Sequence, residues 1–413
     1  MEAKPVVLSG KIATPQQNIS DVEGYTIYEY FSTAEGGAGG NNYPERLLAA
    51  RRTSPTNGAI ISLVSRLVRG KDMRAIARDP AQQDALDNWL DGFCEGRGLM
   101  ELIHRTADDY KTFGSYAWAL AGLGTRVIEI DVVSPVMLRK GWYGVKVKSE
   151  ATGTEEEALQ QVFLSRKSWE KDDRNKENPL AGYETIPYLP YSFGDPLNKP
   201  RLFFRMRYSQ DKTVYPLPDW VAGLQSAEIE AELINFTYAA TLNGFSGSGV
   251  IDIPGVSTEQ LDVYRKAFEE LRGSDAAGSL LFVTSNSPEQ RMDIKQLNQF
   301  PSEKDRSQVA EYAKRNIINA HSLPSGTLIG EKGGSSLGGD GGTIETGLNV
   351  LMEAEIKPLR NLILRDFKRV AEAAGYPIDS FEVEDIEYMD ETREDTLETE
   401  VEDDPDDDNP AAR

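Results

Sequence analysis

One cysteine, Cys94, and two histidines, His104 and His321, are all that the 413 residues contain of those types. A lone thiol excludes an intrachain disulfide framework. So few thiols and imidazoles also exclude a zinc centre built from them. No apolar run approaches the roughly 18 residues that mark a membrane-crossing helix. The opening MEAKPVVLSGK lacks the apolar segment and small-residue cleavage site of a secretory signal. These absences predict a soluble, intracellular product with no metal, no cofactor and no membrane partner. The glycine-rich "GTLIGEKGG" is not a nucleotide loop either. Glu331 and Lys332 follow Gly330, where a phosphate-binding loop needs Gly-Lys-Ser/Thr, and a helical pattern rather than a strand leads into it. No enzymatic activity is expected.

What is present is mixed. Hydrophobic residues make up 39 % of the chain, enough to build a core, and the formal net charge is −22. That charge is uneven. Glu382 to Arg413 hold sixteen acids and two bases, so the tail carries −14 and the other residues −8. The acidic tail, residues 378–413, is expected to be largely disordered, because like charges repel and little can be buried. It either keeps the chain soluble, or repels DNA or engages a basic partner. Residues 1–43 are polar and irregular and are expected to form a flexible arm.

Helical spacing then predicts two helices from Tyr43 to Met73, broken at Ser54-Pro55-Thr56-Asn57-Gly58. A third begins near Pro80 and a fourth after Arg97. His104, on the fourth, reads as an ordinary packed or surface residue. Alternating stretches "TRVIEIDVVSPVMLRKG", "GVKVK" and "RLFFRMRYS" predict strands. A helix over 224–244, about 30 Å long at 1.5 Å per residue, stops at Asn243-Gly244. "GVIDIPG", "STEQLDVYRKAFEELRG" and "GSLLFVTSN" then predict a compact strand–helix–strand module. A long helix over 302–324 carries a narrow apolar seam of Val309, Tyr312, Ala313, Ile317 and Ala320. Residues 323–342 come next, with eight glycines in twenty residues. The last helix runs about thirty residues, kinked by Pro358 and ended by Gly375. The fold class is α+β.

This order of elements resembles the portal proteins of tailed bacteriophages over roughly residues 44–377. "TNGAIISLVSRLVRG" looks like an early wing helix, and "DDYKTFGSYAWAL" is similar to the helix before the first wing strands. "YPLPDWVAGLQSAEIEAELINFTYAATLNGFSGSGVIDIPG" resembles the Tyr-Pro-x-Pro approach to the first stem helix, that helix, and the Asn-Gly-Phe exit into the clip. "ELRGSDAAGSLLFVTSN" resembles the clip turn and second strand, and "SLPSGTLIG" a Pro-containing segment after the second stem helix.

The resemblance implies a portal fold. It would have an α/β wing (44–222), stem helices (223–243 and 302–322), a small α/β clip (244–301), a glycine-rich tunnel loop (323–342) and a long kinked wing helix (343–377). The crown would be minimal or absent, since only the acidic tail lies beyond that helix. The function implied is a head-to-tail connector ring, usually a dodecamer, at one capsid vertex of the virion, assembled in the host cytoplasm. Double-stranded DNA would enter during packaging and leave during ejection through its channel. Expected partners are other copies of the chain, the major capsid protein, the large terminase and a head–tail adaptor. ATP hydrolysis would belong to the terminase.

The resemblance also implies site residues. The tunnel loop would present Glu331, Lys332, Gly333, Gly334, Ser335, Ser336 and Asp340 to DNA. Lys332, its only base, would make transient phosphate contacts or remain a solvated lysine. DNA is a dense polyanion that tight phosphate contacts would arrest, so a mildly acidic body suits sliding. Lys304, Arg306, Lys314 and Arg315 would face the channel or pair with acids of a neighbouring subunit. In the clip, Phe245 is a candidate for intersubunit packing. Ile251 and Ile253 are strand-core residues or adaptor contacts. The alternative function is a non-viral ring-forming or scaffold protein without DNA translocation.

Overall fold

The computed structural model describes residues 19–22, 24–30, 41–148, 155–167, 184–208, 210, 214–243, 248–252, 293–298, 303–331 and 341–386. The polar N-terminal region is not wholly irregular: strands β1 (Ile19–Val22) and β2 (Tyr25–Tyr28) pair as a hairpin. Helices α1 (Tyr43–Thr53) and α2 (Pro55–Arg69) come after it. Their break is narrower than expected. Ser54 alone is extended, its hydroxyl accepts from the Asn57 amide, and Pro55 takes the first helical position, where no N–H is needed. Thr56, Asn57 and Gly58 are therefore helical.

Strand β3 (Asp72–Ala77), helix α3 (Gln83–Asp91) and helix α4 (Gly98–Phe113) come next. Cys94 is buried in the turn before α4. Strands β4 (Ser115–Leu123), β5 (Arg126–Val132), β6 (Leu138–Lys148), β7 (Glu155–Ser165), β8 (Ile186–Pro190) and β9 (Arg201–Met206) complete the main sheet. Its order is β1-β2-β6-β7-β8-β9-β4-β5, antiparallel except where β8 meets β9. Strand alternation sorts the residues of β4. Tyr116, Trp118 and Leu120 enter the main core, and Ala117 faces a smaller cluster with Leu138, Phe163 and Leu202. Tyr208, expected on this strand pattern, lies beyond β9 and is exposed.

Helix α5 (Leu224–Asn243) leaves this body and leads to β10 (Ser248–Asp252). Strand β11 (Asp293–Asn298) pairs antiparallel with β10, and helix α6 (Glu303–Ala320) returns. The helix and second strand expected between 257 and 286 lie outside the described residues. The chain then forms a 3-10 turn (Gly326–Ile329), helix α7 (Gly341–Leu351), a π-turn (Met352–Ile356) and helix α8 (Lys357–Ala374). The irregularity lies one turn before Pro358. Proline has no N–H for the carbonyl four residues back and its ring crowds that carbonyl, and a π-turn relieves both. Gly375 ends α8 at φ +87°, a left-handed cap. Helix α8 buries Leu359, Ile363, Phe367, Val370 and Ala374 at helical spacing.

Disorder does not begin at residue 378, contrary to expectation. Strand β12 (Ile378–Glu384) pairs antiparallel with β3. Ile378 is buried and Phe381 and Val383 are half-buried, while Glu382 and Glu384 are exposed, so acids and a packed strand coexist by alternation. Residues 387–413 lie outside the described residues.

Candidate functional site

Helices α5 and α6 lie side by side and run in opposite directions. At the body end Gly223 abuts α6 so closely that a Cβ built there would meet the Ala320 Cβ at 2.7 Å. Farther out, the Arg306 guanidinium sits 5.4 Å from the centre of the Phe236 ring. The antiparallel β10–β11 ladder closes the far end. Packing of α6 uses less than the predicted seam. Ala313 and Ile317 are buried, but Val309 and Tyr312 are 43 % and 64 % exposed. On α5, Leu224, Ala227 and Ala231 are buried near the body, whereas Ile229, Ile234 and Tyr238 stand exposed.

The root of this pair is held by buried charge. Lys111, at the end of α4, is 2 % exposed and donates to Asp219 Oδ2 at 2.9 Å and to Glu355 Oε1 at 2.8 Å. Arg207 reaches Asp219 Oδ2 at 3.0 Å. Burial alone would raise the Asp219 carboxyl, but the Lys111 ammonium, its hydrogen bond and Arg207 outweigh it and hold the group below the usual range. The Trp220 indole donates to the Lys111 carbonyl at 2.8 Å and stacks on His321, ring centres 5.6 Å apart. His321 Nε2 lies 2.7 Å from Asn57 Oδ1. Burial, reinforced by the Lys111 charge, pushes the His321 imidazole down to about 3, so it is neutral at pH 7. Residues of α2, α4, the π-turn, the approach to α5 and the turn after α6 thus meet in one cluster.

A second set of bonds ties α5 to the α1–α2 turn. Glu230, 6 % exposed, accepts from the Thr56 amide at 3.2 Å, from Thr56 Oγ1 at 2.6 Å and from the Ser54 hydroxyl. Arg46 pairs with both oxygens of Glu228 through one guanidinium edge, Nε and Nη2. Beside these bonds lies an open groove of about 720 Å³ between α2, α5 and α6. Its walls include Ala59, Leu233, Ile234, Tyr238, Ala310 and Ile329.

Two expected site residues meet at the groove's rim. Lys314 of α6 donates to Glu331, the first of the expected site residues in the glycine-rich segment, at 2.9 Å. Ser325 caps the 3-10 turn before it by accepting from the Thr327 amide. The opening of the glycine-rich segment is therefore regular structure, not free loop. Arg306 and Lys314 both engage partners within the chain, and Arg315 is exposed. Lys304 is on α6, and Ile251 on β10 stands opposite Ile294 in the ladder. Lys332, Gly333, Gly334, Ser335, Ser336 and Asp340 lie outside the described residues, as do Phe245 and Ile253. Gly334–Gly338 spells G-x-S-x-G, but a 3-10 turn precedes the segment where a nucleophile elbow needs a strand.

Sequence reasoning missed the root cluster. Lys111, Asp219, Glu355 and His321 come from four distant stretches, so no local spacing joins them. The signal within reach was Asp219-Trp220 directly after the Tyr-Pro-x-Pro stretch, where a charge and the largest apolar side chain precede a helix. His104 is half-buried on α4, and its Nδ1 is buried without a partner among the described residues. Among the described residues no group of three or more His, Cys, Asp or Glu is placed to hold a metal, and no helix is long and apolar enough to cross a membrane.

No protein-family model and no curated protein matches the sequence. Solved structures similar to it include the neck of an empty gene transfer agent particle, at 14 % identity and TM-score 0.47, covering 85 % of this chain and 87 % of that one. The virion of the native gene transfer agent particle is similar at 13 % identity and TM-score 0.46, covering 85 % and 86 %. An HK97-family phage portal protein from Corynebacterium diphtheriae is similar at 12 % identity and TM-score 0.33, covering 77 % and 85 %.

Proposed function

We propose that this chain is a phage portal subunit, which assembles into a ring at one capsid vertex and passes double-stranded DNA through the ring's centre. The observation that carries the reading is the stem. Two antiparallel helices leave the α+β body, bear a two-stranded ladder at their far end, and return to a closely packed root beside the glycine-rich segment. Their outer halves expose Ile234, Tyr238, Val309 and Tyr312, apolar surface of the kind that lateral neighbours in a ring would bury.

In this reading residues 44–222 and 343–377 form the wing, 223–243 and 302–322 the stem, 244–301 the clip and 323–342 the tunnel loop. Lys332, Gly333, Gly334, Ser335, Ser336 and Asp340 line the constriction, and Glu331 anchors its start through Lys314. Lys332 touches passing phosphates briefly. Arg315 and Lys304 face the channel or a neighbour's acids. Phe245 packs between subunits, and Ile251 and Ile253 stiffen the clip that meets the terminase and then the head–tail adaptor. The ring is dodecameric and contacts the major capsid protein through the wing.

Electron microscopy of the purified full chain, with its mass in solution, tests this. A ring with a central hole supports the portal reading. A closed assembly without a channel sinks it and favours a scaffold that does not move DNA. Lys332→Ala in assembled particles should alter DNA retention and leave ring formation intact; unchanged retention removes Lys332 from the role.

A further inference from the structure

A second groove, of about 410 Å³, lies on the flank of the body formed by α8 and β12. Its rim is basic, with Lys357, Arg365 and Lys368, and its floor is apolar, with Leu364, Phe381 and Val383. Lys368 donates to the Asp379 carbonyl at 2.7 Å, and Arg360, buried at one end, donates to Asp385 Oδ1 at 2.6 Å. These two contacts show β12 running antiparallel to α8, so the chain leaves β12 at the Arg360 end. Lys357 is shared with the exposed Glu353 one turn before it. Arg365 is exposed.

The chain beyond β12 complements this groove in both respects. Residues 387–413 hold thirteen acids against two bases, a net charge of −11. The first of them read Glu387-Tyr388-Met389-Asp390-Glu391, an apolar pair set between acids. Asp385 is already bonded in the groove, and Ile386 packs against the core beside it. Arg360 to Lys368 is eight residues of helix, about 12 Å, a span that about four extended residues cover.

We propose that residues 387–391 fold back over this groove and cover it. Glu387, Asp390 and Glu391 then face Lys357, Arg365 and Lys368, and Tyr388 and Met389 cover Leu364, Phe381 and Val383. Attachment at Asp385 makes the encounter intramolecular, with an effective concentration in the millimolar range for so short a link. The acidic tail thereby occupies a basic groove that would otherwise attract DNA or another polyanion. This inference stands whether or not the chain forms a portal ring, since groove and tail belong to one chain.

Disulfide trapping in the full chain tests it. Asn361, exposed on the groove wall, is changed Asn361→Cys and paired either with Met389→Cys or, far along the tail, with Asn409→Cys. Counted from the folded Asp385 anchor beside Asn361, the free link is about four residues to Met389 and about 24 to Asn409, so loop length alone favours the nearer pair by about fifteenfold. Docking predicts an advantage at least about tenfold beyond that in dilute protein, and adding Arg365→Glu with Lys368→Glu, or high salt, should return the ratio to the loop-length value. A ratio near fifteen that charge reversal and salt leave unchanged, or bridges that form only between chains, overturns the proposal. Binding of a 20-base-pair duplex gives a second reading. Glu387→Lys with Asp390→Lys and Glu391→Lys should tighten it, and Arg365→Glu with Lys368→Glu should reverse that gain. Equal duplex binding by the unaltered and tail-changed chains would mean that the groove is open to DNA and that the tail does not cover it.

Discussion

The two ends of the α5–α6 pair solve opposite problems. At the root, Lys111, Asp219, Arg207 and Glu355 lie within 3.0 Å of an opposite charge, and Lys111, the buried centre of the set, lies beneath the stacked Trp220 and His321 rings. In the outer half, Ile234, Tyr238, Val309 and Tyr312 stand between 43 % and 66 % exposed. The root satisfies itself within one chain. The outer half does not, and its apolar surface gains only when another surface covers it. One helix pair therefore combines a fixed hinge-end with an unfinished face.

The contrast breaks most directly at Lys111. Lys111→Met keeps the bulk of the side chain but leaves Glu355 without its cation and Asp219 with Arg207 alone. Removing one member of a buried charge cluster costs about 3 kcal/mol. A fall of that size in urea-unfolding stability, at fixed protein concentration, is expected. A fall below about 1 kcal/mol would mean that Lys111 itself is hydrated and that the root is no firmer than the outer half of the helix pair.

The root's pH response is the next largest effect. His321 titrates at about 3 in the folded chain against 6.5 unfolded. The folded state binds fewer protons, so this contribution is complete above pH 6.5 and is lost as pH falls from there toward 3. Between pH 7 and pH 5 the loss is about 2 kcal/mol. In His321→Phe the ring stack on Trp220 can persist, and that portion of the slope should vanish. Parallel slopes for the two proteins would show that His321 is hydrated in the fold.

How much of this contrast is legible in the sequence depends on where each signal lives. The helix expected over 224–244 forms over Leu224–Asn243, and the kink expected from Pro358 appears as the π-turn just before it. Those signals are local: cap residues, a proline, a periodic stripe. Several strands stay hidden because their partners, not their composition, make them strands. Strand β7 begins Glu155-Glu156-Glu157, a poor strand sequence alone, but the register sets Glu155 and Glu157 opposite Lys148 and Lys146 of β6. Strand β12 hides in the same way behind its acids. Periodicity identifies the apolar seam on α6, yet it cannot say whether the cover comes from the same chain, and for Val309 and Tyr312 it does not.

Close approach at the root gives a smaller effect. Gly223→Ala would put a methyl 2.7 Å from the Ala320 Cβ and force α5 and α6 apart at their base. Overpacking of this kind costs about 1 kcal/mol or somewhat more. Ala320→Gly in the same chain should restore much of the loss by vacating the colliding position. If the double variant is no better than the single one, the strain lies elsewhere, and the base of the stem is looser than its charge cluster implies.

The smallest effect on the single chain should accompany the largest on assembly. Tyr312 is 64 % exposed on α6, so Tyr312→Asp removes little buried surface and should shift unfolding stability by no more than about 0.5 kcal/mol. If neighbouring copies cover this face, the new carboxylate would be buried without a partner at every interface around the ring, a penalty repeated with each subunit. Sedimentation should then show the variant folded but unable to close rings that the unaltered chain forms under the same conditions. The Lys314→Ala change separates this from loop effects. Its bond to Glu331 joins two groups about one-third exposed, a pairing that contributes well under 1 kcal/mol, so assembly should survive it. If Tyr312→Asp assembles normally while Lys314→Ala does not, the lateral contact lies on the Lys314–Glu331 side, and the exposed tyrosine faces solvent in the ring.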